Sequence, residues 1–372
     1  MIIAVNTRLP GQEQPQGYEN FIFESLTRLT EKFTQHTFIF IFDKPCHNNQ
    51  IFTKNVTEVI AGPEASNTLL LQYWFNYRIP ALLKKYKADV FVSLDGICSL
   101  RTKLPQCLLI QELTFLTHPQ FFKKSQTRFY KKFIPEFLAK AKTVATISVF
   151  SKTVIIDRYK IASDKIDVVY AGIDEIFKPC TPKEKESIKE KYTDGKEYFL
   201  FSGNINSHSN LINLLKAFSF FKKRQKSNML LLIVGKPDDV FTKALKSFKF
   251  RNEVIIQDHL SKDDQAKITA ATYAMIYPVL YDEFAIAPLQ AMQCEVPVIT
   301  SNAGALPSLC GNAALYSNPE DFKDIAEKMM LVFKDENKAG ELVKAGIIQA
   351  RQFQWDKTAA LLWQCIQKAI NN

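Results

Sequence analysis

Asp282 and Glu283 open the segment LYDEFAIAPLQAMQCEVPVIT (280–300), in which an acidic turn runs into small residues, a helix and a β-branched strand. The turn places two carboxylates beside Ala285, Ile286 and Ala287, a run that lets a ligand approach the backbone. Pro288 suits the first position of a helix, where its missing N–H is unpaired in any case. The free N–H groups of such a helix start, reinforced by its dipole, bind a phosphate or diphosphate. A plain loop–helix–strand connection is the alternative reading of the same pattern.

FSGNINSHSNLINLLKA (201–217) has a similar logic. A strand ends at Gly203, a polar loop follows, and a helix starts near Asn210 with Ser207 or Ser209 as its cap. This too reads as a phosphate-accepting helix start, or as an ordinary strand–turn–helix connection.

Both segments resemble the donor-binding loops of the retaining glycosyltransferases of family four, group 1, which have the GT-B fold. That family's pattern is Glu, seven residues, Glu, then Ala-Met, with Gly-Phe-Gly after the first Glu. Here the acid positions are Asp282 and Gln290, and the middle reads Glu283-Phe284-Ala285. The family also places an Arg after the glycine at 203 and a Lys before the following helix, both clamping the donor diphosphate. This chain has Asn204 and Ser209 there. Losing each charge-assisted hydrogen bond forfeits about 1.5–3 kcal/mol. Lys236 or Lys262 is the candidate cation to replace them. In LLIQELTFLTHPQFF (108–122), Gln111-Glu112 stand where relatives commonly read His-Asp at the end of a strand, the His contributing to sugar binding. His118, six residues past Glu112, reads as a structural loop residue.

The resemblance implies named roles. Asp282, with Gln111 and Glu112, would form the catalytic set, Asp282 orienting the sugar. Gln290 would hold the ribose, its amide oxygen accepting a hydrogen bond. Main-chain N–H groups at Ala285, Ile286 and Ala287 would take the phosphates. Gly203, Asn204, Ser209, Asn210, Gly235, Glu283 and Phe284 would complete the donor site. A nucleotide-diphosphate sugar would be the co-substrate, with no further cofactor and no metal. Segments 145–179, 230–237 and 301–321 support the resemblance, which covers roughly 105–365. Over the first hundred residues the family's glycine-rich acceptor loop is matched only by Gly11 and Gly17.

The elements that must position these residues are β-rich runs alternating with helical stretches. IIAV, FIFIF, ADVFVSL, QCLLIQ and TVATIS alternate with helices in the first half. YFLFSG, NMLLLIVG, EVIIQ, AMIYPV and VPVIT do so in the second. Such alternation predicts an α/β protein with two doubly wound, Rossmann-like domains and parallel sheets. The expected division is an acceptor domain over 1–177, a donor domain over 178–354, and a C-terminal helix over 355–372 that packs back on the first. The polar run TPKEKESIKEKYTDGKE (181–197) reads as a linker or domain boundary.

At 372 residues the chain has room for two domains. The opening MIIAVNTRLP reads as a buried strand rather than a signal peptide. No apolar run approaches the ~20 residues of a membrane span. Seven scattered cysteines, never in a Cys-x-x-Cys pair, argue for reduced thiols in the cytoplasm and against a zinc site. The net charge of +10 is compatible with an anionic membrane, a nucleotide or a nucleic acid. The densest basic stretch, 121–142, has seven Lys/Arg against Glu136. Phe129, Phe133 and Phe137 form a helical stripe in it, favouring a core-packed helix with a solvated basic face over a membrane-surface helix. Peripheral contact with the inner face of a membrane stays open. Aromatics at core spacing argue against nucleic-acid binding. Two functions follow: sugar transfer to a glycan or lipid-linked acceptor, or a catalytically inactive GT-B partner subunit.

Overall fold

The computed structural model describes residues 1–8, 17–45, 53–203, 205–206 and 208–371. Gly11, Asn204 and Ser207 therefore lie outside the described residues. The chain divides into two compact units, Met1–Gly172 with Trp355–Asn372, and Ile173–Gln354.

In the first unit Ile2–Asn6 (β1), Thr37–Phe42 (β2), Val56–Ile60 (β3), Val90–Ser93 (β4), Gln106–Ile110 (β5), Thr143–Thr146 (β6) and Ile166–Val168 (β7) form a sheet in the order β3-β2-β1-β4-β5-β6-β7. Every described pairing is parallel. β1, β4 and β5 are buried on both faces, which explains their continuous apolar runs. In the second unit Tyr198–Ser202 (β8), Leu230–Val234 (β9), Val254–Gln257 (β10), Ala274–Tyr277 (β11), Val298–Ser301 (β12) and Ala314–Ser317 (β13) pair in parallel as β10-β9-β8-β11-β12-β13. The strand order reverses at β1/β4 in one sheet and at β8/β11 in the other. Ligands in doubly wound sheets bind beyond the carboxyl ends of the strands at such points.

The C-terminal helix Trp355–Asn371 belongs to the first unit. Trp363 stacks on Phe33 at 4.0 Å, Thr143 Oγ1 donates to Cys365 O at 3.0 Å, and Thr358 Oγ1 donates to Tyr170 O at 2.7 Å. Gly172 is where the helix docks: a Cβ there would lie 2.5 Å from the Trp355 nitrogen.

Two expectations need correction. The polar run at 181–197 is not a linker, because Pro182–Thr193 is a helix. Thr181 and Glu184 close a capping box, and only Ile188 and Thr193 are buried, so the helix carries almost no apolar stripe to announce it. Residues 173–177, expected with the first half, group with the second. Ile173 N–H donates to Phe353 O at 3.0 Å, and the Gln293 amide donates to Phe177 O at 2.7 Å.

The helix Lys124–Lys140 has its aromatics inward. Phe129 and Phe137 are buried, with Phe133 4.9 Å from Phe129. Lys124, Arg128, Lys131 and Lys132 are exposed. No helix among the described residues is long and apolar enough to cross a membrane.

Candidate functional site

In the second unit the loop after β11 is built around Asp282. Its Oδ1 accepts from Phe284 N–H at 2.8 Å and its Oδ2 from the Tyr277 hydroxyl at 3.0 Å. Its carbonyl accepts from Ala305 N–H at 2.8 Å. Burial pushes the Asp282 carboxyl above its ordinary value, against these hydrogen bonds, which favour the charged form. Burial and the adjacent carboxyl also hold the Tyr277 phenol well above its usual range, so it stays a donor. The Tyr277 ring stacks on Phe201, with centroids 5.6 Å apart.

This turn delivers Ala285 in the left-handed region, at φ 50° and ψ 28°, as the residue before the helix Ile286–Gln293. A side chain costs roughly 1–2 kcal/mol in that conformation, which glycine adopts freely. The first hydrogen bond back to the cap runs from Leu289 N–H to Ala285 O at 3.2 Å. The N–H groups of Ile286 and Ala287 precede it and have no partner within the helix. Pro288 is the third helical residue, not the first as expected. Ala285 starts the helix two residues earlier, and a proline is tolerated anywhere in the first turn because those N–H groups are unpaired. Gln290 is half-buried one turn on. Glu283 is buried, and its Oε1 accepts from the Tyr281 hydroxyl at 3.2 Å.

Gly304 closes the turn from the other side. It has φ 59°, and a Cβ would lie 2.4 Å from Asp282 O. Tyr277 and Gly304 were not anticipated as site residues. The signals available were a tyrosine ending a buried strand and a glycine amid small residues in SNAGALP.

On the β8 side the polar side chains are taken up by hydrogen bonds within the second unit. The buried Ser209 does not cap the helix Leu211–Gln225, whose start has no side-chain cap. Its hydroxyl instead accepts from Asn206 N–H at 2.9 Å and donates to Asn206 Oδ1 at 3.2 Å. Asn210 takes the cap position with φ 58°, and its amide donates to Pro278 O at 2.8 Å and Pro319 O at 2.6 Å. Gly203 and Gly235 end neighbouring strands, and a Cβ on Gly235 would lie 2.4 Å from Gly203 O. Lys262 pairs with Asp174 at 2.7 Å, whereas Lys236 is exposed just beyond Gly235.

In the first unit Gln111 follows β5 and is buried. Its Nε2 donates to Leu94 O at 3.1 Å, while Oε1 has no partner among the described residues. Thr7 Oγ1, just past β1, is likewise buried without a partner among the described residues. Beside them the Arg8 guanidinium binds Asp95 Oδ2 at 3.0 and 3.1 Å, and Ser93 Oγ donates to Asp95 Oδ1 at 3.1 Å. Asn6 Nδ2 donates to Ser93 Oγ at 3.2 Å. Sequence reasoning did not single out this network; its signal was polar residues directly after buried strands. Glu112 is exposed, and His118 stacks on Phe121 at 5.2 Å, a structural contact.

Both units thus carry polar groups at the switch points of their sheets. Residues 15–176 match the family model described as Glycosyltransferase Family 4, and residues 182–349 match that described as Glycosyl transferases group 1. The chain belongs to this glycosyltransferase family. An Escherichia coli relative, O-antigen chain mannosyltransferase B, is 26% identical over 264 residues, which are 70% of this chain and 68% of that one. A glycosyltransferase from Rickettsia africae ESF-5 superposes with a TM-score of 0.75 at 17% identity, covering 100% of this chain and 99% of that one. Anabaena HepE, solved with UDP-glucose, gives 0.72 at 14% identity over 99% and 98% of the two chains. The fold of this glycosyltransferase is GT-B.

Proposed function

We propose that this chain transfers a hexose from a nucleoside-diphosphate sugar to a hydroxyl of a glycan or lipid-linked glycan, with retention at the anomeric carbon. The bond from that carbon to the diphosphate oxygen breaks, a bond to the acceptor oxygen forms on the same face, and the leaving diphosphate takes the acceptor proton. One observation carries the reading: the Asp282-anchored turn with Ala285 left-handed, which presents the Ile286 and Ala287 N–H groups at the carboxyl edge of β11. Backbone donors at a helix start suit the charge that builds on the departing diphosphate. Lys236 supplies a side-chain cation, so turnover needs no metal. Asp282 orients the sugar and Gln290 the ribose. In the first unit, Gln111 Oε1 takes a sugar hydroxyl and Glu112 faces the acceptor.

Mannose and an O-antigen-type polysaccharide are the first pair to test, because the E. coli relative is named for them. Work on such an acceptor would bring the chain to the cytoplasmic face of a membrane, and the exposed basic face of Lys124–Lys140 supports contact there. The partner-subunit reading gains no support from a relative named as a transferase. The test is incubation of the purified protein with GDP-mannose and UDP-hexoses, each with an undecaprenyl-diphosphate-linked oligosaccharide, with and without chelator. A mass gain of one hexose in an α-linkage supports the proposal. Absence of transfer from every donor, or transfer abolished by chelator, overturns it in whole or in its metal-free part.

A further inference from the structure

The opposite edge of the first sheet, where the strands begin, has a second concentration of charge. A cleft of about 1000 Å³ opens there between the end of the helix Lys124–Lys140, the starts of β6 and β7, and the C-terminal helix. Lys140, Lys142, Lys152, Lys165 and Lys368 line it, opposed only by Asp164 and Asp167.

Three of these lysines are rooted in the fold. Lys165 Nζ donates to Ala139 O at 3.1 Å, satisfying a carbonyl in the helix's last turn, where a cation is favoured. Lys152 Nζ donates to Ile166 O at 2.6 Å. Lys368 Nζ grips both oxygens of Asp167, at 2.9 and 3.0 Å, and so cancels that acid's charge. An ammonium has three donors, so the Lys152 and Lys165 heads keep N–H groups to offer. The side chains of the other two, Lys140 and Lys142, are exposed, and their ammonium groups make no hydrogen bond or ion pair with a described residue. Burial lowers the Lys165 pKa, and the Lys142 charge adds a smaller push in the same direction.

We propose that this cleft binds a phosphate-bearing anion, held by Lys152 and Lys165 at its floor and by Lys140 and Lys142 at its mouth. Compact phosphates accept several N–H bonds at once, and lysine serves them as a point charge. The cleft lies on the edge away from Gln111 and Asp95, and the inference stands independently of the transferase reading. The ligand is either a free phosphate compound or a lipid headgroup.

The experiment uses the full chain at physiological ionic strength, where diffuse surface attraction is largely screened. Calorimetry with pyrophosphate and with glycerol 3-phosphate probes the soluble source. Sedimentation with phosphatidylcholine vesicles, with and without phosphatidylglycerol, probes the headgroup. Lys140→Glu with Lys142→Glu is compared with Lys243→Glu with Lys246→Glu, two exposed lysines of the second unit, which changes charge equally away from the cleft. All four side chains are exposed, so both variants should fold, and unfolding curves check this. The expected result is binding to at least one probe, weakened at least tenfold by the first pair and less than twofold by the second. Binding in the soluble arm identifies a free phosphate, and binding to vesicles alone identifies a headgroup. Binding to no probe, or equal loss in both variants, overturns the proposal.

Discussion

The two switch points share a topology and use their side chains in opposite ways. At β1/β4 the first unit fixes Arg8, Asp95, Ser93 and Asn6 in one network, yet leaves Gln111 Oε1 and Thr7 Oγ1 buried without partners among the described residues. At β8/β11 the second unit turns its polar side chains on itself. The Asp282 carboxylate and the Ser209 hydroxyl bind close to themselves in sequence, and the Asn210 amide ties its loop to the carbonyls of Pro278 and Pro319. A buried polar atom without a partner costs about 1–3 kcal/mol, so a fold retains one most readily where a ligand completes it. Under the proposed function, recognition would rest on side chains in the first unit and on backbone in the second.

The sharpest way to break this contrast is Asp282→Asn. The amide still accepts from Phe284 N–H, so the turn survives, while the charge is lost. Turnover should fall roughly 100-fold, within the range for removing an electrostatic group from an active site. Stability should lose a pH dependence as well. Because the folded carboxyl is raised, its contribution is full below the unfolded value of 3.8 and fades as pH rises through the higher folded value. Unfolding curves across acidic pH should show this fading in the native protein and not in the variant. Unchanged kcat would remove Asp282 from the chemistry.

Next in size is Gly304→Ala. The new Cβ meets Asp282 O in a left-handed backbone, so we expect a loss of more than about 2 kcal/mol and weakened nucleotide binding. Gly172→Ala provides the counterpart: its clash is with Trp355, so stability should fall while nucleotide affinity in the folded protein is kept. Denaturant midpoints and calorimetry on both variants separate the two effects.

Gln111→Leu tests the first unit. Removing the orphaned oxygen together with its amide should leave stability within about 1 kcal/mol, while the KM for a sugar substrate rises about tenfold. A marked loss of stability with unchanged KM would make Gln111 a structural residue. The smallest effect belongs to Ala285→Gly. Relief of the left-handed alanine should stabilise the protein by up to about 1 kcal/mol with activity kept, read from the thermal midpoint.

The sheets were legible because strands buried on both faces write continuous apolar runs, as in QCLLI and LLLIV. The helix Pro182–Thr193 was not, since it rests on a capping box and two buried residues rather than on periodicity. The donor turn was legible as a place but not in its detail. Pro288 marks a helix start, yet only the backbone reveals that Ala285 is left-handed and that the helix begins at Ile286. Ser209 was misread as a cap because its partner, Asn206, lies in the same loop and competes for its hydroxyl. The Arg8–Asp95 pair joins residues 87 positions apart, a separation that no local pattern encodes.

The central claim is that the second unit grips a diphosphate with the backbone of the Ala285 turn. Calorimetric titration of the purified protein with UDP, GDP and ADP, each beside its monophosphate, tests it most directly. The account predicts that one diphosphate binds in the micromolar range, with its monophosphate at least tenfold weaker, about 1.4 kcal/mol. Failure of every diphosphate to bind, or equal affinity for the two forms, would contradict it.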